Sequence, residues 1–237
     1  VKKVVMVARE RGVPIRIGVN AGSLEKDLLE KYGQPTPEAL VESASRHIKI
    51  LEDLDFDQIV ISLKASDVSA MVETYRLFSQ KYDYPLHLGV TEAGPLIGGT
   101  VSSSMGIGSL LLEGIGDTIR VSLSDDSKEE IKVGKEILKR LGLRHGPVLI
   151  ACPTCSRTQY NMLPLVKKME SYLETINKPI KVAVMGCVVN GPGEAREADI
   201  GVAGGKGMGV IFVKGKVIKT VKEKEIFKSL TEEIEKI

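Results

Sequence analysis

The stretch PIRIGVN (residues 14–20) decides the fold, because its residues alternate. Ile15, Ile17 and Val19 fall on one face of an extended chain, while Arg16, Gly18 and Asn20 fall on the other. Three later stretches repeat the pattern. In DQIVISLK (57–64), Ile59, Ile61 and Leu63 oppose Val60, Ser62 and Lys64. In PLHLGVTEAG (85–94), Leu86, Leu88 and Val90 oppose His87, Gly89 and Thr91, and in TIRVSLSD (118–125), Ile119, Val121 and Leu123 oppose Arg120, Ser122 and Ser124. Segments with helical spacing separate them, near 36–54, 67–82, 103–114 and 127–141, with capping residues at Thr36 before Pro37, at Ser66 or Asp67, and at Ser127. Strand then helix, repeated, implies a parallel sheet.

Parallel strands buried on both faces read as continuous apolar runs, and these do not. One face covers helices, and the other is polar, small and cationic. Such a face is what the inner wall of a (β/α)8 barrel presents near a ligand. Four units stand where a closed barrel of about 250 residues has eight. The chain therefore reads as α/β, with the second half of a TIM-type barrel at its start. The alternation also fits an open α/β sheet of four or five strands whose polar face lines a cleft, and pattern alone leaves both readings open. The opening VKKVVMVARERG reads like the tail of a helix whose start is missing, as in a fragment of a longer protein.

After Gly146 the composition changes. A strand GPVLIAC (146–152) leads into Cys152-Pro-Thr-Cys155, followed by a helix near 161–176, a strand PIKVAVMG (179–186) and an apolar strand around 199–203. A hairpin then joins GVIFV (209–213) to KVIKTV (216–221) through Lys214-Gly215, and a charged helix closes the chain from about 222. This is a compact α+β domain. Gly142, Gly146 and Pro147 mark a boundary near residue 145, giving domains 1–145 and 146–237.

Composition narrows the function classes. At 237 residues with 43% hydrophobic content the chain has material for a sizeable core. Lys plus Arg exceed Asp plus Glu by only 33 to 31, so no global charge drives it onto nucleic acid. No apolar run reaches about 18 residues and no signal-peptide pattern opens the chain, which points away from membrane and export and toward the cytoplasm. Three cysteines, an odd number, argue against a disulfide framework and for ligands or free thiols.

Those cysteines sit as Cys152-Pro-Thr-Cys155 and in Met185-Gly-Cys187-Val-Val-Asn-Gly-Pro-Gly-Glu194. Two thiolates on one turn and a third from a separate loop supply three corners of a metal site. A lone C-x-x-C fits a redox dithiol, a zinc knuckle or an iron–sulfur half-site. Zinc would want a fourth Cys or His, and none of His47, His87 and His145 falls within either cysteine loop. Glu194 offers a carboxylate on a glycine-rich loop and could fill the fourth corner, as an exchangeable oxygen ligand. The alternative is a solvated Glu194 beside cysteines that are buried or hold zinc structurally.

On the polar face, Arg16, Lys64 and Arg120 lie on different strands but on one side, where a fork and a point charge together suit phosphates. Each could instead be paired with a local carboxylate. Glu92, after Thr91, supplies a proton donor or acceptor beside them, and the Asn20 amide could orient a ligand. Gly94-Pro-Leu-Ile-Gly-Gly-Thr100 and Ser102-Ser-Ser-Met-Gly-Ile-Gly108 look like phosphate-cradling loops before a helix. The glycine run Gly201–Gly209 lacks a dinucleotide fingerprint's context and reads as tight packing.

Five motifs, Ile15–Leu24, Ser62–Ser66, Leu88–Gly94, Ala151–Thr158 and Met185–Glu194, together resemble the 4-hydroxy-3-methylbut-2-enyl diphosphate synthases of the non-mevalonate isoprenoid pathway. The resemblance spans nearly the whole chain, with no counterpart here for the family's N-terminal barrel half or the arginines on its first strands. It implies reductive dehydration and ring opening of 2-C-methyl-D-erythritol 2,4-cyclodiphosphate, a two-electron iron–sulfur reaction. It implies a [4Fe–4S] cluster held by Cys152, Cys155, Cys187 and Glu194, in a C-terminal domain like those of sulfite and nitrite reductases. By the same resemblance Arg16, Asn20, Lys64, Arg120 and Ser122 bind the diphosphate, and Glu92 and Glu194 act at the reacting atoms. Homodimers fed by ferredoxin or flavodoxin are the family's pattern. The rival readings are a zinc-binding hydrolase or lyase on the same thiolates, and a structural metal-binding module without activity.

Overall fold

The computed structural model describes residues 1–187, 193 and 196–237. The chain divides into two compact units, Val1–Leu141 and Gly142–Ile237, each with its own hydrophobic core.

In the first unit a helix, α1 (Lys2–Arg11), precedes four parallel strands, β1 (Ile15–Asn20), β2 (Ile59–Lys64), β3 (His87–Leu88) and β4 (Thr118–Ile119). β1 pairs with β2, β3 pairs with β4, and one parallel bridge from Ile61 to Leu86 joins the two pairs. Spatial order thus equals chain order, which is singly wound topology; a doubly wound sheet reverses direction at a switch point. Among the described residues the strands do not close into a barrel.

Helices α2 (Lys26–Tyr32), α3 (Pro37–Glu52), α4 (Val68–Ser79), α5 (Leu96–Leu112) and α6 (Ser127–Arg140) fill the intervals. Local chemistry starts three of them. Thr36 Oγ1 accepts the Ala39 N–H at 3.2 Å with Pro37 in the first turn, and Asp67 Oδ1 accepts the Ala70 N–H at 2.7 Å. Asp126, one residue before the expected Ser127, accepts the Lys128 N–H at 2.9 Å and opens α6. The apolar strand face, Ile17, Val19, Ile61, Leu63, Leu88 and Val90, packs into one core with Leu40, Tyr75, Phe78, Ile107 and Ile137 from these helices.

Two sequence expectations change. The strands expected over 85–94 and 118–125 are regular for only two residues each. At the first of these, Tyr75 of α4 puts its hydroxyl into the gap between β2 and β3. It accepts the Leu63 N–H at 2.9 Å and donates to the His87 carbonyl at 2.6 Å, standing in for a ladder bond. Beyond it the chain stays extended, with Arg120 N–H bonded to Leu88 O at 2.9 Å and Thr91 N–H to Ala65 O at 3.2 Å. The second change is α5, which begins at Leu96 where a start near 103 was expected. Both glycine/serine stretches therefore lie largely inside a helix and are not phosphate-cradling loops. Two of the helix glycines serve packing: a Cβ on Gly99 would stand 2.8 Å from Gly94 O and 2.5 Å from Leu123 Cδ2, and one on Gly106 2.8 Å from Val90 Cγ2.

The second unit holds β5 (Val148–Ala151), α7 (Leu163–Glu174), β6 (Lys181–Met185), β7 (Ile200–Gly205), β8 (Met208–Val213), β9 (Lys216–Lys222) and α8 (Ile226–Lys236). The five strands form one sheet in chain order, parallel from β5 to β7 and antiparallel from β7 to β9. Lys214 and Gly215, at φ of 47° and 74°, make the tight hairpin turn between β8 and β9. Met169, Leu173, Leu230 and Ile234 of α7 and α8 bury Val182, Val184, Val202 and Ile211 of the sheet. Gly204 lies in contact with the Tyr160 ring, so the glycine-rich strand does serve close packing.

Candidate functional site

In the first unit, register builds the site. β1 and β2 set Gly18 beside Ser62 and Asn20 beside Lys64. The Ile61–Leu86 bridge extends this alignment to His87 and Gly89, and β3 pairs His87 with Thr118 and Leu88 with Ile119. Two polar rows follow. The lower holds Gly18, Ser62, His87 and Thr118, and the upper, nearer the strands' carboxyl ends, holds Asn20, Lys64, Gly89 and Arg120.

Gly89 is buried, and a Cβ there would lie 2.7 Å from the Arg120 carbonyl and 3.5 Å from Lys64 Nζ. Its missing side chain lets the Lys64 ammonium lie across β3. Arg16, Asn20 and Arg120 are exposed, whereas Lys64 and Ser122 are half-buried. Glu92 is exposed on the turn after β3, at a left-handed φ of 53°.

Among the described residues, Arg16, Lys64 and Arg120 make no ion pair with a carboxylate, which removes the reading of locally paired cations. The contrast is with the outer helices, where Arg46 bonds Asp27 and Glu42, Arg76 bonds Glu113 and Arg140 bonds Glu136. Burial, then Arg120 and Arg16, push the Lys64 ammonium below its ordinary value, with Glu130 alone acting the other way. Burial followed by Arg16, Lys64 and Arg120 lowers His87 to about 4. An unsatisfied cluster of positive charge is a standing cost to the fold, and a polyanion relieves it. Sequence reasoning placed His87 on this face but did not single it out, and its place between Arg16, near the start of β1, and the Lys64 and Arg120 row is a tertiary fact.

In the second unit, topology gathers the thiols. β5 and β6 are parallel neighbours, so Cys152 and Cys187, which follow them, leave the sheet at the same end. Cys152 N–H bonds Val184 O at 3.3 Å, Gly186 N–H donates to Cys152 Sγ at 3.1 Å, and Gln159 N–H bonds Gly186 O at 2.9 Å. Cys187 is buried and Cys155 exposed. The Arg157 backbone N–H, helped by the Arg157 and Thr158 side chains, lowers the Cys155 thiol below its usual range, favouring thiolate.

The buried Tyr160 hydroxyl has no hydrogen-bond partner among the described residues, and burial, then Cys152 and Glu223, hold it protonated. The Gly186 N–H at the Cys152 sulfur is the kind of donor an iron–sulfur group accepts. Among the described residues no three His, Cys, Asp or Glu side chains come close enough to hold a metal ion. Glu194 lies outside the described residues.

Comparison with known proteins agrees along the chain. Residues 1–135 match the GcpE TIM-barrel domain, and residues 148–236 match the GcpE protein C-terminal domain. Similar curated proteins carry the name 4-hydroxy-3-methylbut-2-en-1-yl diphosphate synthase (flavodoxin). The one from Thermodesulfovibrio yellowstonii is 62% identical over 237 residues, and the one from Clostridium perfringens 62% over 238, each alignment covering 100% of this chain and 68% of the relative. That from Geobacter sulfurreducens is 58% identical over 238 residues, covering 100% of the chain and 67% of the relative.

Proposed function

The chain belongs to the GcpE family, and from that premise we propose its reaction and the residues that carry it. It is an oxidoreductase of isoprenoid biosynthesis: 2-C-methyl-D-erythritol 2,4-cyclodiphosphate takes two electrons, loses water and opens to 4-hydroxy-3-methylbut-2-enyl diphosphate. The observation that carries the substrate side is the set of three unpaired cations on one strand face, with Lys64 held across Gly89.

Arg16 and Arg120 grip diphosphate oxygens through their planar forks, and Lys64 adds a half-desolvated point charge beneath them. Asn20 and Ser122 orient the bound anion at the rim of the same face. Glu92, aimed outward by its turn, holds or moves a proton next to the reacting carbons. Residues 1–145 form the barrel-derived portion that does this work, and 146–237 the domain that carries the redox group.

Cys152, Cys155, Cys187 and Glu194 would hold a [4Fe–4S] cluster, which when bound supplies electrons one at a time. A flavodoxin, named with the relatives, or a ferredoxin delivers them. The working unit is a homodimer in the cytoplasm; no helix among the described residues is long and apolar enough to cross a membrane. Neither the zinc hydrolase nor the structural-module reading gains support from the described residues.

The test is anaerobic reconstitution with iron and sulfide quantitation, followed by flavodoxin-driven turnover of the cyclic diphosphate. About four irons per chain with turnover, and loss of turnover in a folded Glu194→Ala variant, is the expected result. Zinc in place of iron, or full activity in Glu194→Ala, overturns it.

A further inference from the structure

The lower polar row contains a group that the reading above does not use. His87 Nδ1 lies 2.8 Å from Thr118 Oγ1, and its Nε2 is shielded from solvent with no hydrogen-bond partner among the described residues. Its neighbour in the row, Ser62, is 2% exposed, and the Ser62 hydroxyl is likewise without a hydrogen bond. In the row above stand Lys64 and Arg120, and Arg16, paired with Val60 on β1 and β2, starts one row below.

The charged groups that act on the ring come from three different strand segments, and all of them are cations: Arg16, Lys64 and Arg120. The carboxylates nearby are engaged elsewhere. Glu130 accepts the Leu123 N–H at 2.9 Å and acts on Lys64, and Asp117 accepts the Leu86 N–H at 2.7 Å. The imidazole is therefore kept neutral first by burial and then by the unbalanced cationic charge around it, and an anion can remove the second cause.

We propose that His87 is the proton-coupled member of the anion site, taking up a proton more readily once a diphosphate settles among Arg16, Lys64 and Arg120. The proposal rests on the diphosphate reading of that face. A bound diphosphate cancels the repulsion and places negative charge within range of the ring, so the electrostatic part of its neutrality disappears while burial remains. Protonation then turns the buried Nε2 into a second donor, adding a fourth positive group under the ligand, and proton and anion binding favour one another by linkage.

The experiment is a proton–carbon NMR titration of the histidine ring Cε1–H signals, with and without saturating inorganic pyrophosphate. The chain has three histidines, so His87 is assigned by the signal missing from His87→Gln. With pyrophosphate the His87 midpoint should rise from about 4 by more than one pH unit, while His47 and His145 stay in place. Calorimetry at pH 5 in buffers of different ionisation heat should show the native chain taking up at least about 0.4 proton more than His87→Gln, as follows from a midpoint raised from about 4 to 5 or above.

Pyrophosphate shifts of backbone signals around Lys64 and Arg120 without movement of the His87 midpoint would overturn the coupling and leave the anion site standing. No perturbation by pyrophosphate at any signal would overturn both. Equal proton uptake by the native chain and His87→Gln would likewise assign the proton to another group.

Discussion

Replacing Tyr75 by Phe isolates one oxygen atom at the seam of the first unit. The ring is fully buried, at 0% exposure, and Phe keeps its shape, so packing is conserved and only the hydroxyl goes. That hydroxyl is bonded to the Leu63 N–H at 2.9 Å and the His87 carbonyl at 2.6 Å. Its loss leaves a donor and an acceptor unsatisfied in the gap between β2 and β3, each at a cost of about 1–3 kcal/mol. The sum, about 2–6 kcal/mol, corresponds to a fall in Tm of about 4–24 °C for a chain of this size. Burial also pushes the Tyr75 phenol up to about 12, so the proton it donates is present at every working pH. The control is Tyr82→Phe, whose hydroxyl bonds the Ser45 side chain at 3.0 Å near the surface and should cost at most about 1 kcal/mol. Thermal and urea unfolding of both variants decide it. Equal losses in the two would refute the claim that Tyr75 stands in for a ladder bond.

Lys64→Met should move stability and binding in opposite directions. Tm rises because a half-buried ammonium next to two like charges is removed, and pyrophosphate Kd weakens about 10–100-fold with the loss of a charge-assisted contact. His87 carries a lowered folded value of about 4 against 6.5 unfolded, so the unfolded chain binds the extra proton between those limits. Stability from this residue is therefore present above about pH 6.5 and lost on acidification toward 4, and Tm of His87→Gln should fall less steeply over that window. Gly204→Ala drives a Cβ into the Tyr160 ring and should unfold the second unit, read as lost near-UV dichroism or rapid proteolysis of residues after 141. Gly98→Ala, in α5 with nothing within 4 Å of the new methyl, should raise stability by about 0.5 kcal/mol in urea titration.

The sheet and its polar face are legible in the sequence because a period of two is a one-dimensional signal. Ile15 to Asn20 and Ile59 to Lys64 show it residue by residue, and the structure places Arg16, Lys64 and Arg120 on that shared side. Caps read almost as well, since Thr36 and Asp67 act within three residues of themselves. What escapes is set by contacts distant in sequence. The start of α5 is hidden because glycines at 98 and 99 weigh against helix, and the approach of Leu123 and of the Gly94 carbonyl explains Gly99. Tyr75 reaches residues twelve positions away in both directions, and no local pattern announces a side chain that replaces a ladder bond. His87 reads as one more residue of an alternating strand until the β2–β3 bridge sets it among three charges, with Lys64 and Arg120 one row above and Arg16 one row below. The cysteine motifs point to a metal by their chemistry. That Cys152 and Cys187 leave the same end of the sheet follows from the parallel pairing of β5 with β6, which spacing alone does not reveal.

The most direct measurement is calorimetric titration of the chain with inorganic pyrophosphate at low and moderate salt, repeated on the combined Arg16→Ala, Lys64→Ala and Arg120→Ala variant. If three unpaired cations on one strand face are a diphosphate site, the native chain binds one equivalent with affinity that falls as salt rises, and the triple variant does not bind while remaining folded. Unchanged affinity in the triple variant would contradict the account.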